Sequence, residues 1–104
     1  MSEFQTGRIL FTPALLRLCG EHKLFSEFIM KSLARHKMNE SDSCNDDQEQ
    51  NKAAVITGGR IFSSYKIPPD LSEVTVSDKV WVITEAEDND GQRHSTTLLW
   101  PSEY

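Results

Sequence analysis

Lys79-Val80-Trp81-Val82-Ile83-Thr84-Glu85 sets five β-branched or aromatic residues in a row between two charged ends, the composition of a strand rather than a helix. Asp88-Asn89-Asp90-Gly91-Gln92 follows it, and the Asp-Gly step supplies the positive-φ position a tight turn needs. Ser95-Thr96-Thr97-Leu98-Leu99-Trp100 then returns as a partner strand, stopped by Pro101. Upstream, Arg60-Ile61-Phe62-Ser63-Ser64-Tyr65-Lys66-Ile67 has β-favouring residues on both faces and ends at Pro68-Pro69. Strands at about 60–67, 79–86 and 94–100, joined in succession, predict a three-stranded antiparallel meander in the C-terminal half.

Such a sheet must bury one face, and the N-terminal half supplies two or three helices to cover it. Arg8-Ile9-Leu10-Phe11 is a short apolar run before Thr12-Pro13, an N-cap followed by the residue preferred at the first helical position. The first helix is expected from Pro13 through Leu15, Leu16, Leu18 and Cys19, stopping at Gly20. A second starts near Ser26, with Phe25, Phe28, Ile29 and Leu33 at helical spacing and Glu27, Lys31 and Arg35 on the polar side. Residues 38–51 hold almost nothing to bury, and about 38–46 reads as a flexible acidic linker. Asn45 or Asp46 is expected to cap a third helix that ends at Thr57, where Gly58-Gly59 breaks it. The expectation for 1–104 is therefore one α+β domain, of a size that supports a core without staples.

Charge is unevenly spread. The net charge is −5; residues 1–38 carry six basic against three acidic side chains, and residues 39–104 five against thirteen. That balance argues against a nucleic-acid binder of the plain electrostatic kind, which needs a basic face. It leaves a solubilising surface, a basic protein partner, or mimicry of nucleic-acid charge. No run reaches the roughly 18 apolar residues that span a bilayer, and Met1-Ser2-Glu3-Phe4 does not read as a signal peptide. Cys19 and Cys44 share no metal-ligand spacing, and with no export signal they are expected as reduced thiols in the bacterial cytoplasm.

Gly7-Arg8-Ile9-Leu10 with Thr12-Pro13 and Leu15-Leu16 resembles the opening of small proteins encoded on bacterial plasmids and integrative elements. So do Ala34-Arg35-His36, the Asp47–Asn51 segment, Gly59-Arg60-Ile61 with Ser64-Tyr65, and Trp81-Val82-Ile83-Thr84-Glu85-Ala86. The close, Thr96-Thr97-Leu98-Leu99 with Pro101 and Glu103-Tyr104, fits as well. Such proteins are labelled plasmid-related or restriction-modification subunits. The likeness covers nearly the whole chain, with three departures. The acidic stretch after His36 lacks a Gly-Asp-Trp cluster, and 69–78 and Asp88–Arg93 look inserted. The resemblance implies a context, a mobile element's accessory protein in the host cytoplasm, and carries over no functional residue.

The candidate chemistry is sparse. His22, His36 and His94 are the ready acid–base groups near neutral pH, but nothing brings them together in sequence, and each reads as a helix-end or surface residue. Cys19 falls on the apolar side of its helix, which points to packing rather than nucleophilic work. Ser63-Ser64 and Thr96-Thr97 read as cross-strand pairs. Gly58-Gly59-Arg60 lacks the Lys-Ser/Thr and the helix of a phosphate loop, and Glu85 to Asp90 lacks the central Gly and closing Glu of a calcium loop. The expectation is a non-enzymatic protein with no cofactor and no metal. It is expected to bind and modulate or inhibit a host defence or nucleic-acid-processing complex, through a basic surface of that partner. Direct nucleic-acid binding is disfavoured, and no membrane partner is expected. The candidate contacts are two acidic groups, Asp46, Asp47 and Glu49 with Glu87, Asp88 and Asp90, and the sheet aromatics Tyr65, Trp81 and Trp100. The alternative is a small DNA-binding or plasmid-maintenance regulator acting through the basic N-terminal part.

Overall fold

A computed structural model describes residues 4–104. In chain order the elements are β1 (Arg8–Phe11), α1 (Pro13–Glu21), α2 (Lys23–Lys37), α3 (Asn45–Thr57), β2 (Ile61–Lys66), β3 (Lys79–Thr84) and β4 (Ser95–Leu99). Short 3-10 turns follow β2 and β4 at Pro69–Leu71 and Pro101–Glu103. Among the described residues the fold is α+β, with three helices and one mixed four-stranded sheet in the order β1-β4-β3-β2. β2, β3 and β4 pair antiparallel, as the strand pattern predicts. The expected three-stranded meander is incomplete, because β1 adds to β4 in parallel, Arg8 opposite Ser95 and Phe11 opposite Leu98. A parallel neighbour needs a long crossover, here all of the helices together with β2 and β3, so residues 8–11 carry no local sign of it.

The helices depart from expectation at their ends. α1 does begin at Pro13, but Thr12 Oγ1 donates to Glu103 Oε1 at 2.8 Å instead of capping the helix. Gly20 does not stop α1. The chain turns at His22, whose extended backbone (φ −131°, ψ 108°) closes α1 and opens α2 three residues earlier than the expected start. Neither Asn45 nor Asp46 caps α3; Cys44 holds the N-cap position without a side-chain bond. Gly58 ends α3 in the left-handed region (φ 84°), its N–H bonded to Ala54 O, as the Gly-Gly pair predicts.

Leu15, Phe25, Ile29 and Leu33 from α1 and α2 pack on Tyr65, Val80, Val82, Leu98 and Trp100 from the inner sheet face. Leu16, expected beside Leu15 in the core, is 56% exposed: α1 turns only one narrow stripe toward the sheet. The stretch expected as a free acidic linker is tied to β2. Asp42 N–H donates to Ser64 O, Ser43 Oγ accepts from Ser64 N–H, and Asp42 Oδ2 accepts from Lys66 N–H. Asn51 completes the seal, its amide donating to Phe62 O while its carbonyl accepts from Phe62 N–H at 3.0 Å. Side chains thus satisfy the edge that a bare outer strand would present to other chains.

Candidate functional site

Polar chemistry is buried at one end of the inner sheet face. Ile61, Thr84 and Thr96 stand in register across three strands, and His36 reaches in from the last turn of α2. His36 Nδ1 lies 2.7 Å from Ser63 Oγ and Nε2 lies 2.7 Å from Thr84 Oγ1. Thr84 and Thr96 hydroxyls meet at 2.6 Å, and Thr96 donates to Thr6 O at 2.8 Å. That terminal carbonyl only accepts, so it fixes the direction of the chain of bonds. Thr96 must accept from Thr84, Thr84 from Nε2–H, and Nδ1 from the Ser63 hydroxyl. The imidazole is neutral, and burial pushes its pKa down from 6.5 to about 4. His36 is therefore not the surface residue expected of it. The Phe4 ring closes over it edge-on at 5.1 Å. Nearby, buried Arg93 donates to Gly59 O (2.7 Å), Glu85 O (3.0 Å) and Ala54 O (3.0 Å), tying α3 to the end of β3. The hydroxyls and imidazole of this run, and both terminal nitrogens of Arg93, are engaged in bonds that hold elements together.

The other side of the sheet is different. Whereas α1 and α2 pack on the inner face, here the 3-10 turn Pro101–Glu103 packs against β3 and brings Tyr104 across, and Ile83 and Leu99, which share this outer face, are buried. The Trp81 ring meets Phe62 at 4.9 Å and Tyr104 at 5.7 Å, both edge-to-face. Arg60 lies over the Tyr104 ring at 5.4 Å and donates to its hydroxyl at 2.6 Å. Two clefts meet here, sharing Asp47 and Phe62: one of about 360 Å³ floored by Phe62 and Trp81, and one of about 240 Å³ beside Arg60.

The three aromatics expected on one binding face are split by this geometry. Trp81 pairs with Ser64 in the β2–β3 register and so points outward, whereas Tyr65 pairs with Val80 and points inward. Tyr65 is fully buried, its hydroxyl donating to Glu40 O, and Trp100 is 3% exposed with its ring 5.7 Å from Phe25. Phe62 and Arg60 are not singled out by the sequence because the Arg60–Ile67 run favours strand on both faces, so composition does not choose which alternate set is outside; Tyr104 reaches them only through the fold, 23 residues from Trp81 and 44 from Arg60.

Four of the six acidic candidates lie on or against α3. Asp46, Asp47 and Glu49 lie in its first turns, with Glu49 3.3 Å from Lys52. Glu87 packs on Gly58 at its other end: Glu87 N–H donates to Gly58 O, and its carboxylate lies 3.8 Å from Arg93. Asp88 is committed to its own turn, Oδ1 accepting from Asp90 and Gln92 N–H and Oδ2 facing His94 Nε2 at 2.6 Å. Those bonds, the Gln92 amide first, hold its carboxyl below the usual carboxylate range. Asp90 is exposed.

No family model, curated protein or solved structure matches this chain.

Cys19 is a free, half-buried thiol against the core, its pKa raised by burial. Among the described residues no group of three or more His, Cys, Asp or Glu side chains gathers to hold a metal ion, and no helix is long and apolar enough to cross a membrane.

Proposed function

We propose that the chain is a non-enzymatic accessory protein of a mobile element that binds and modulates a host defence or nucleic-acid-processing protein complex. The observation that carries this reading is the position of α3. Both acidic segments, distant in sequence, sit at opposite ends of one helix of about 20 Å. The exposed side of that helix carries Asp46, Glu49 and Ile56, the last 85% exposed. Carboxylates spaced along a rigid rod with an apolar contact between them suit a basic, partly apolar protein surface, and speed the encounter with it. Asp46 and Asp47 also offset the helix dipole, but that role asks nothing of Glu87, Asp90 or Ile56. The buried His36 and Arg93, engaged in structural bonds, support a reading of recognition by the surface rather than of chemistry in the interior.

Affinity capture from bacterial lysate with mass spectrometry tests the reading. Changing Asp46, Asp47 and Glu49 together to Lys should weaken the captured complex at least tenfold, roughly 1.4 kcal/mol, and more in low salt. Parent-like binding by that triple variant would reduce the ridge to a solubilising surface. The alternative, a DNA-binding regulator, rests on Arg17, Lys23, Lys31 and Lys37, all exposed on α1 and α2. Retardation of duplex DNA in low salt, lost on neutralising these four, would favour it.

A further inference from the structure

The geometry points to a second surface, which borders the acidic ridge at Asp47: the outer sheet face is a binding groove for single-stranded nucleic acid, with bases stacked on the Trp81 and Phe62 floor and phosphates held by Lys66, Lys79 and Arg60. Lys66 stands directly opposite Lys79 across β2 and β3. Like charges in that relation are destabilising, and neither ammonium has a carboxylate within ion-pair distance among the described residues. Arg60, at the far end of the same row of β2, spends its guanidinium on a neutral phenol. Between these cations lie the rings of Phe62 and Trp81, with Tyr104, 67% exposed, packed beside Trp81.

Local charge decides against the whole-chain sum. The carboxylates lining the two clefts are Asp42 and Asp47, and Asp42 is already held by Arg35 at 2.9 Å. Three cations against one uncommitted carboxylate leave the groove positive on a chain whose net charge is −5. An acidic peptide fits less well, because an extended chain binds a sheet through its edge, and the β2 edge is closed by Asn51, Ser43 and Asp42. What remains is recognition by ring faces and cations, the combination that holds unpaired bases without reading their sequence. Duplex bases present no ring face to such a floor, so the groove selects single strands. The larger cleft, about 360 Å³, falls at the lower end of the roughly 300–1,000 Å³ of small-ligand sites, and it runs on into its neighbour along Phe62.

The test is fluorescence anisotropy of the full chain with labelled oligo-dT and oligo-U of about 16 nucleotides, a hairpin duplex, and polyglutamate as competitor. Oligo-dT or oligo-U should bind in low salt, with the duplex and polyglutamate at least tenfold weaker. Trp81→Ala should weaken binding at least tenfold. The paired change Lys66→Gln with Lys79→Gln, at exposed positions that leave the core alone, should lower the log–log salt slope by about 1.4. No binding of either oligonucleotide in low salt overturns the proposal, as does polyglutamate competing equally. Parent-like binding by the lysine pair overturns it whether or not the Trp81 variant folds. Reversing Asp46 and Glu49 alone, which line neither cleft, weakens the protein complex if the ridge reading holds and leaves the lysine-pair effect on oligonucleotide binding in place.

Discussion

Under α1 and α2 the inner sheet face offers an apolar half of Val80, Val82, Leu98 and Trp100, with Tyr65 beside Arg35; under the last turn of α2 it also offers Ser63, Thr84 and Thr96. Both halves are buried and belong to the same strands, yet they are held by different physics. The apolar half rests on burial, which has no direction and tolerates exchange of one hydrocarbon shape for another. The polar half rests on a one-way run of hydrogen bonds from Ser63 through His36, Thr84 and Thr96 to the Thr6 carbonyl. Every member there needs its neighbour, since an unpaired buried donor or acceptor loses its water without compensation. One half supplies most of the stability; the other fixes how α2 and the N-terminal segment sit on the sheet and makes that fit sensitive to pH.

The strongest way to break the contrast is at Phe25, fully buried between Trp100 and Phe28. Phe25→Ala should destabilise the chain by about 3–5 kcal/mol in denaturant unfolding. A loss under about 1 kcal/mol would mean the apolar half does not carry the fold.

Titration sharpens the other half. The folded pKa of His36, about 4, lies below its ordinary 6.5, so the unfolded chain takes up the proton first. The stability contributed by neutral His36 is complete above pH 6.5 and drains away as pH falls toward 4, by roughly 3 kcal/mol in all. Unfolding free energies measured across that window should show the slope in the parent and lose most of it in His36→Asn. Equal slopes would mean that His36 is not the group responsible.

Thr84→Val is the smallest and most pointed of these changes. It keeps the shape but removes the acceptor for Nε2–H and the donor to Thr96, and should cost about 1–2 kcal/mol. An isosteric change at Val82, on the same strand and the same face, has no such bond to lose. If Thr84→Val proves neutral, the polar run is incidental to stability.

Sequence by itself determined whatever depends on neighbours along the chain. The β-branched runs formed strands where they were read, Pro13 opened a helix, Gly58 closed one, and Asp90-Gly91 made its turn with Gly91 at φ 76°. These are local steric preferences, and they act within a few residues. Tertiary structure alone decided whatever depends on register and on distant partners. A shift of one residue in a strand pair exchanges its two faces, so only the Ser64–Trp81 pairing sends Trp81 outward while Tyr65 goes into the core. β1 found β4 across most of the chain, and His36 found Ser63 and Thr84 at separations of 27 and 48 residues. Glu87 reached the C-terminal end of α3 through a backbone bond to Gly58, opposite the end that carries Asp46, Asp47 and Glu49. None of these contacts leaves a periodicity in the sequence, because each is selected by the packing of the whole chain and not by the residues beside it.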